Sequence, residues 1–75
     1  MNPRISIDPQ VQHGRPVIKG TRIPVLTLLG CISEGMSLQE TAAEYRIPVE
    51  DVLAALNFAA ELVEQAQQRP VATTQ

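Results

Sequence analysis

Cysteine and histidine are almost absent from this chain. Cys31 is the only cysteine, which excludes an intrachain disulfide and any cysteine-rich metal site. Between Gly30 and Ile32 it reads as a small buried residue in a reduced cytoplasm. His13 is the only histidine, so no second imidazole can hold a metal with it. Beside Gly14 it reads as a loop residue. The two fall in different elements, so no histidine–nucleophile pair is expected. The carboxylates fall on helix exteriors, where solvated acids are the norm. The stretch "GRPVIKG" has glycines six apart, yet it lacks the spacing and the Gly-Lys-Ser/Thr ending of a phosphate loop. These absences predict a protein that is not an enzyme and uses no metal or cofactor.

Long apolar runs are missing too. "MNPRISIDPQ" lacks the apolar core of a signal peptide, and no stretch is long enough to span a bilayer. The expectation is a soluble cytoplasmic protein without membrane contact. Its 75 residues allow one domain, in the size range where a single core is marginal and oligomerisation helps.

What is present is a charge gradient. The formal net charge of −2 divides unevenly. Arg4, Arg15, Lys19 and Arg22 stand against Asp8 alone in residues 1–30, a net +3. Arg46 and Arg69 stand against Glu34, Glu40, Glu44, Glu50, Asp51, Glu61 and Glu64 in residues 31–75, a net −5. The asymmetry implies a basic face that meets an anion, or two ends that attract each other between subunits. Whole-chain acidity speaks against nonspecific nucleic-acid binding as the main role.

Ile5-Ser6-Ile7 alternates as a strand and is closed by the turn pair Asp8-Pro9. Pro16-Val17-Ile18-Lys19 is a second short strand ended by Gly20. Two such strands form only a marginal hairpin, so they must lie on helices or on another chain. Pro24 suits the first helical position, where its missing N–H costs nothing. Val25, Leu28, Leu29 and Ile32 then keep helical spacing to Glu34, and Gly35 ends the helix.

Ser37-Leu38-Gln39-Glu40 is a capping box that opens a short helix to about Tyr45. Arg46-Ile47-Pro48 breaks it, and Glu50 with Asp51 suits the positive end of a third helix. There Val49, Val52, Leu53, Leu56, Ala60 and Val63 hold helical phase. A second stripe, Ala55, Phe58, Ala59, Leu62 and Ala66, widens the apolar arc beyond what a surface helix needs. Glu50, Ala54, Asn57, Glu61, Glu64 and Gln65 form the expected outer face. The second stripe is covered either by the hairpin or by another subunit. Residues 1–66 make the expected domain, and residues 67–75 a polar, disordered tail.

A capped short helix, a tight turn and a longer helix form a helix-turn-helix pattern. The first turn of a reading helix would here offer Val49, Glu50, Asp51 and Val52, and two carboxylates repel phosphates. If DNA is bound, the basic amino-terminal segment is expected to hold it. The candidates are Arg15, Lys19, Thr21 and Arg22, with Arg46 from the helix-turn-helix. Solvated cations on a loop, or cations paired with acids of the third helix, are the plainer alternatives for each one.

The stretches "ISIDPQV", "GRPVIKGTRIPV", "EGMSLQETAAEY" and "VEDVLAALNFAAEL" together resemble the bacterial and archaeal domain-of-unknown-function 433 family. The resemblance runs from Ile5 to Leu62, with Gly14, Pro16, Gly20, Thr21, Arg22 and Pro24 in its signature. It implies a homeodomain-like or winged-helix-like fold: a mainly α, three-helix domain with a short amino-terminal β-hairpin or strand pair. Some family members resemble VapB-type antitoxins encoded beside a PIN-like ribonuclease. The resemblance therefore implies an antitoxin that binds such a toxin and represses its own operon as a dimer. The alternatives are a stand-alone helix-turn-helix regulator and a dimerisation adaptor. Pro48 departs from the Ser or Thr expected to cap the third helix. On this reading Arg22 and Arg69 are the candidate toxin contacts. Ala55, Phe58, Ala59 and Leu62 are the candidate homodimer interface.

Overall fold

The computed structural model describes residues 2–68, and it is built outward from two very short strands. β1 (Ile5–Ser6) pairs antiparallel with β2 (Val17–Ile18), with Ile5 opposite Ile18 and Ser6 opposite Val17. The Lys19 amide continues the ladder by donating to the Arg4 carbonyl at 2.8 Å. β2 is bonded along its other edge as well. The Ile18 N–H donates to the Ile23 carbonyl, and the Val25 N–H to the Pro16 carbonyl, both at 2.9 Å. Val17 and Pro24 form a bridge between these bonds. Both β2 side chains are buried, which accounts for two apolar residues in succession where a one-sided strand would alternate.

Ile7 does not extend β1; it lies beyond the strand and is exposed. The connection to β2 passes through a tight turn at Gln12–Gly14. There φ is 50°, 57° and 81° in succession, a left-handed run that L-residues rarely adopt. Pro24 is not the first helical residue. It is held extended (φ −66°, ψ 141°) by its bridge to Val17, and the helix starts one residue later.

α1 (Val25–Ser33) ends as its sequence predicts. Gly35 takes a φ of +106°, its N–H donates to the Ile32 carbonyl, and the Met36 N–H reaches the Cys31 carbonyl. This is a Schellman closure. α2 (Leu38–Tyr45) opens on the predicted capping box. Glu40 N–H donates to Ser37 Oγ at 3.0 Å, and Ser37 N–H donates to the Glu40 carboxylate at 2.8 Å. α2 closes in the same way as α1, with Ile47 N–H on the Ala42 carbonyl, but Arg46 occupies the left-handed position (φ 56°). α3 (Val49–Gln68) follows directly, and residues 69–75 of the expected tail lie outside the described residues.

The result is a small, mainly helical domain of three helices with an amino-terminal two-stranded antiparallel sheet. Its core joins Ile5 and Ile18 from the sheet, Val25 and Leu28 from α1, and Ala54, Ala55 and Phe58 from α3. Val52, Thr41 and Ala42 are also buried, and the Thr41 hydroxyl is satisfied by the Ser37 carbonyl at 2.9 Å. Ala54 corrects the expected outer face of α3. It is only 2% exposed, because β1 packs on that side of the helix. The strand pair, α1 and α2 thus cover α3 as far as Phe58. From Ala60 to Gln67 every residue is exposed. No helix among the described residues is long and apolar enough to cross a membrane.

Candidate interaction surfaces

The turn that follows β2 is a well-bonded platform for cations. The Thr21 N–H donates to the Ile18 carbonyl at 3.0 Å, and Gly20 has φ +80° while Lys19 keeps a negative φ. That combination is a type II turn, whose third residue must be left-handed. The Thr21 hydroxyl donates to the Ile18 carbonyl at 2.8 Å and accepts the Ile23 N–H at 3.0 Å. Thr21 is therefore engaged inside the turn. Lys19 and Arg22 are exposed on either side of it, and Arg15 is exposed two residues before β2.

Arg46 is exposed too, but on the turn between α2 and α3. Arg69 lies outside the described residues. The one ion pair among the described residues joins Arg4 to Asp51, at 2.8 Å. The cations of the hairpin are thus left to solvent, and the bond to α3 is made by Arg4, which spacing alone did not reveal.

The amino-terminal end of α3 carries Glu50, exposed, and Asp51, mostly buried under Arg4. Asn57, Glu61 and Glu64 continue an exposed and largely acidic surface. This helix has the wrong charge to approach phosphates.

An apolar groove of about 200 Å³ lies where the hairpin, α1 and α3 meet. Pro16, Pro24, Leu26, Leu29, Ala59 and Leu62 line it, together with the carbon stem of Arg15. Of the four residues expected at a subunit interface, Ala55 and Phe58 belong instead to the core of the single chain, at 0% and 7% exposure. Helical phase placed them on the right stripe, but the hairpin already occupies that length of it. Ala59 is half-buried and Leu62 is 50% exposed.

Two other hollows are lined partly by polar groups. Pro9, Gln10, Gln12, His13 and Arg22 line one of about 400 Å³, and Glu34, Met36, Glu40 and Glu44 are among those lining another of about 600 Å³. No group of three or more metal-ligating side chains is assembled among the described residues. Cys31 Sγ lies 3.7 Å from Tyr45 Oη, a contact that raises the tyrosine pKa above its ordinary value, with burial adding to the effect.

No curated protein matches the chain. Two solved structures are similar to it. One is the crystal structure of a DUF433 member protein from Anabaena variabilis, with a TM-score of 0.74 and 35% identity. That match covers 87% of this chain and 65% of the other. The second is the crystal structure of Rv2018 from Mycobacterium tuberculosis, with a TM-score of 0.63 and 29% identity. It covers 69% of this chain but only 24% of the other, so this chain spans less than two thirds of either relative. The family model described as "Protein of unknown function (DUF433)" matches residues 5–59, a span that takes in the whole hairpin, α1, α2 and the buried half of α3. The chain belongs to the DUF433 family.

Proposed function

We propose that this domain is an antitoxin-like binding protein that inhibits a PIN-like ribonuclease and represses its own operon through DNA. The observation that carries the reading is Arg22, exposed beside a turn locked by both bonds of Thr21. A PIN-like nuclease holds its metal with clustered carboxylates. A guanidinium binds carboxylates bidentately and keeps its charge, so it can occupy the place of metal or RNA phosphate. Rigid presentation removes an ordering cost from binding. On this reading the domain acts by occupying a site, not by catalysis.

DNA contact falls to Arg15, Lys19 and Arg22, because the acids of α3 oppose its entry into a groove. A stand-alone helix-turn-helix regulator or adaptor is the second reading. It is favoured by the same three cations, which face solvent on one hairpin with no ion-pair partner among the described residues.

The test is coexpression with the product of the neighbouring gene, followed by RNA cleavage assays. Copurification and inhibition are expected, with folded Arg22→Ala losing inhibition. An Arg22→Ala protein that inhibits as well as wild type sinks the rigid-arginine mechanism. Arg69→Ala and a chain ending at Gln65 separate inhibition by the hairpin from inhibition by the tail. Absence of any complex leaves the regulator reading.

A further inference from the structure

We propose that the hollow lined by Pro9, Gln10, Gln12, His13 and Arg22 is an anion site that takes a phosphate group. Its lining presents more polar than apolar surface. Four of the five side chains carry N–H donors, and none is a carboxylate. Asp8, the only acid in residues 1–30, lies outside the lining and accepts the Gln10 N–H at 2.8 Å. Among the described residues no hydrogen bond or ion pair engages the side chains of Gln10, Gln12, His13 or Arg22. The donors are gathered and left without an acceptor.

The backbone beneath them points the same way. Gln12 and His13 have φ of 50° and 57°, in a region uncommon for residues other than glycine. Glycine holds that conformation freely, as Gly14 does beside them at +81°. The chain thus keeps two polar side chains at strained positions, and both line the hollow. Strain of this kind gathers at ligand clamps.

A phosphate suits this donor set better than a carboxylate. A carboxylate lies in one plane and is satisfied by a single arginine fork. A phosphate turns its oxygens in tetrahedral directions, so donors from two separate loops can reach one group. Arg22 supplies the permanent charge, and Gln10, Gln12 and His13 supply further N–H donors. The phosphate is either free or part of a nucleic-acid backbone, and the same chemistry binds both. The inference goes beyond both functional readings. It requires neither a nuclease nor an operator, and Gln10, Gln12 and His13 take no part in them.

NMR titration of the isotope-labelled full chain with inorganic phosphate tests it, with chloride holding the ionic strength constant. Saturable shifts confined to Gln10, Gln12, His13 and Arg22 are expected. Arg22→Gln should weaken binding about tenfold or more, as the loss of a charge-assisted bond does. Gln12→Gly and His13→Gly separate the site from the fold. Each relieves backbone strain, so each should keep or raise the urea midpoint while weakening phosphate binding severalfold. Glycine variants that bind phosphate like the wild type overturn the proposal. Shifts spread evenly over Arg15, Lys19 and Arg46 overturn it too, because surface charge alone would produce them. Either failure leaves nuclease inhibition and operator binding to their own assays. A short DNA duplex then identifies the source. Phosphate that displaces the duplex from these four residues upholds the site and assigns it to a nucleic-acid backbone. Phosphate that saturates the hollow without disturbing the duplex upholds it as a site for free phosphate. Saturation by neither probe overturns it.

Discussion

The Arg4 guanidinium donates to the Asp51 carboxylate at 2.8 Å, joining residues 47 positions apart. It ties the flank of β1 to the first turn of α3, where an acid already favours the helix dipole. Arg4 is about half exposed, so water screens the pair. Arg4→Ala is expected to cost about 0.5–1 kcal/mol, and the cost should shrink as salt rises. Urea unfolding at low and high ionic strength checks this. A loss unchanged by salt would assign the contribution to the arginine stem.

Gly20 isolates a backbone effect from a packing effect. Its φ is +80°, yet a Cβ placed there meets no atom within 4 Å. Gly20→Val should therefore destabilise by more than about 1 kcal/mol through conformation alone. Gly20→Asn should cost clearly less, because asparagine tolerates the left-handed region. Equal losses from the two variants would show that the turn does not require that conformation.

Arg46 holds the left-handed position that Gly35 fills at the end of α1. An exposed arginine there bears a strain that glycine would not. Arg46→Gly is expected to stabilise the fold by about 0.5–1 kcal/mol, read as a higher urea midpoint with an unchanged slope. A lower midpoint would mean that the side chain makes a contribution larger than the strain.

DNA binding, where it occurs, should depend on the hairpin and on salt. Arg15, Lys19 and Arg22 supply three charges per chain, and each neutralised phosphate contributes about −0.9 to the log–log salt slope. Fluorescence anisotropy with the chain's own upstream DNA measures it. Changing all three to Ala should abolish binding and flatten the slope. If that variant binds normally while Asn57→Ala or Arg46→Ala does not, α3 reads the DNA after all.

The elements legible in the sequence are those fixed by neighbours in the chain. Ser37 and Glu40 satisfy each other within one turn, and Gly35 supplies the one conformation that a helix end needs, so both could be read locally. Ala54 could not. Its burial is decided by where β1 comes to rest, and alanine carries no signal of its own for that. Pro24 stands one residue before the helix its sequence favours it to open, because a bridge to Val17, seven positions earlier, overrides its helical preference. Arg46 adopts a backbone that arginine does not advertise. At the candidate site, Lys19, Arg22 and the turn at Gly20 were readable from one short stretch. The groove was not, since its lining comes from three elements that meet only in the folded chain.

The double bonding of β2 also governs how this domain can be approached. Its backbone is engaged on both edges, so the ribbon has no vacant central strand to complete. One outer edge ends in Pro24, which has no N–H to offer, and the other is the two-residue β1. A foreign strand therefore finds almost nothing to template on, and the sheet is guarded against edge-to-edge aggregation. Any partner must recognise this domain through its side chains, which makes recognition depend on residue identity more than on backbone shape.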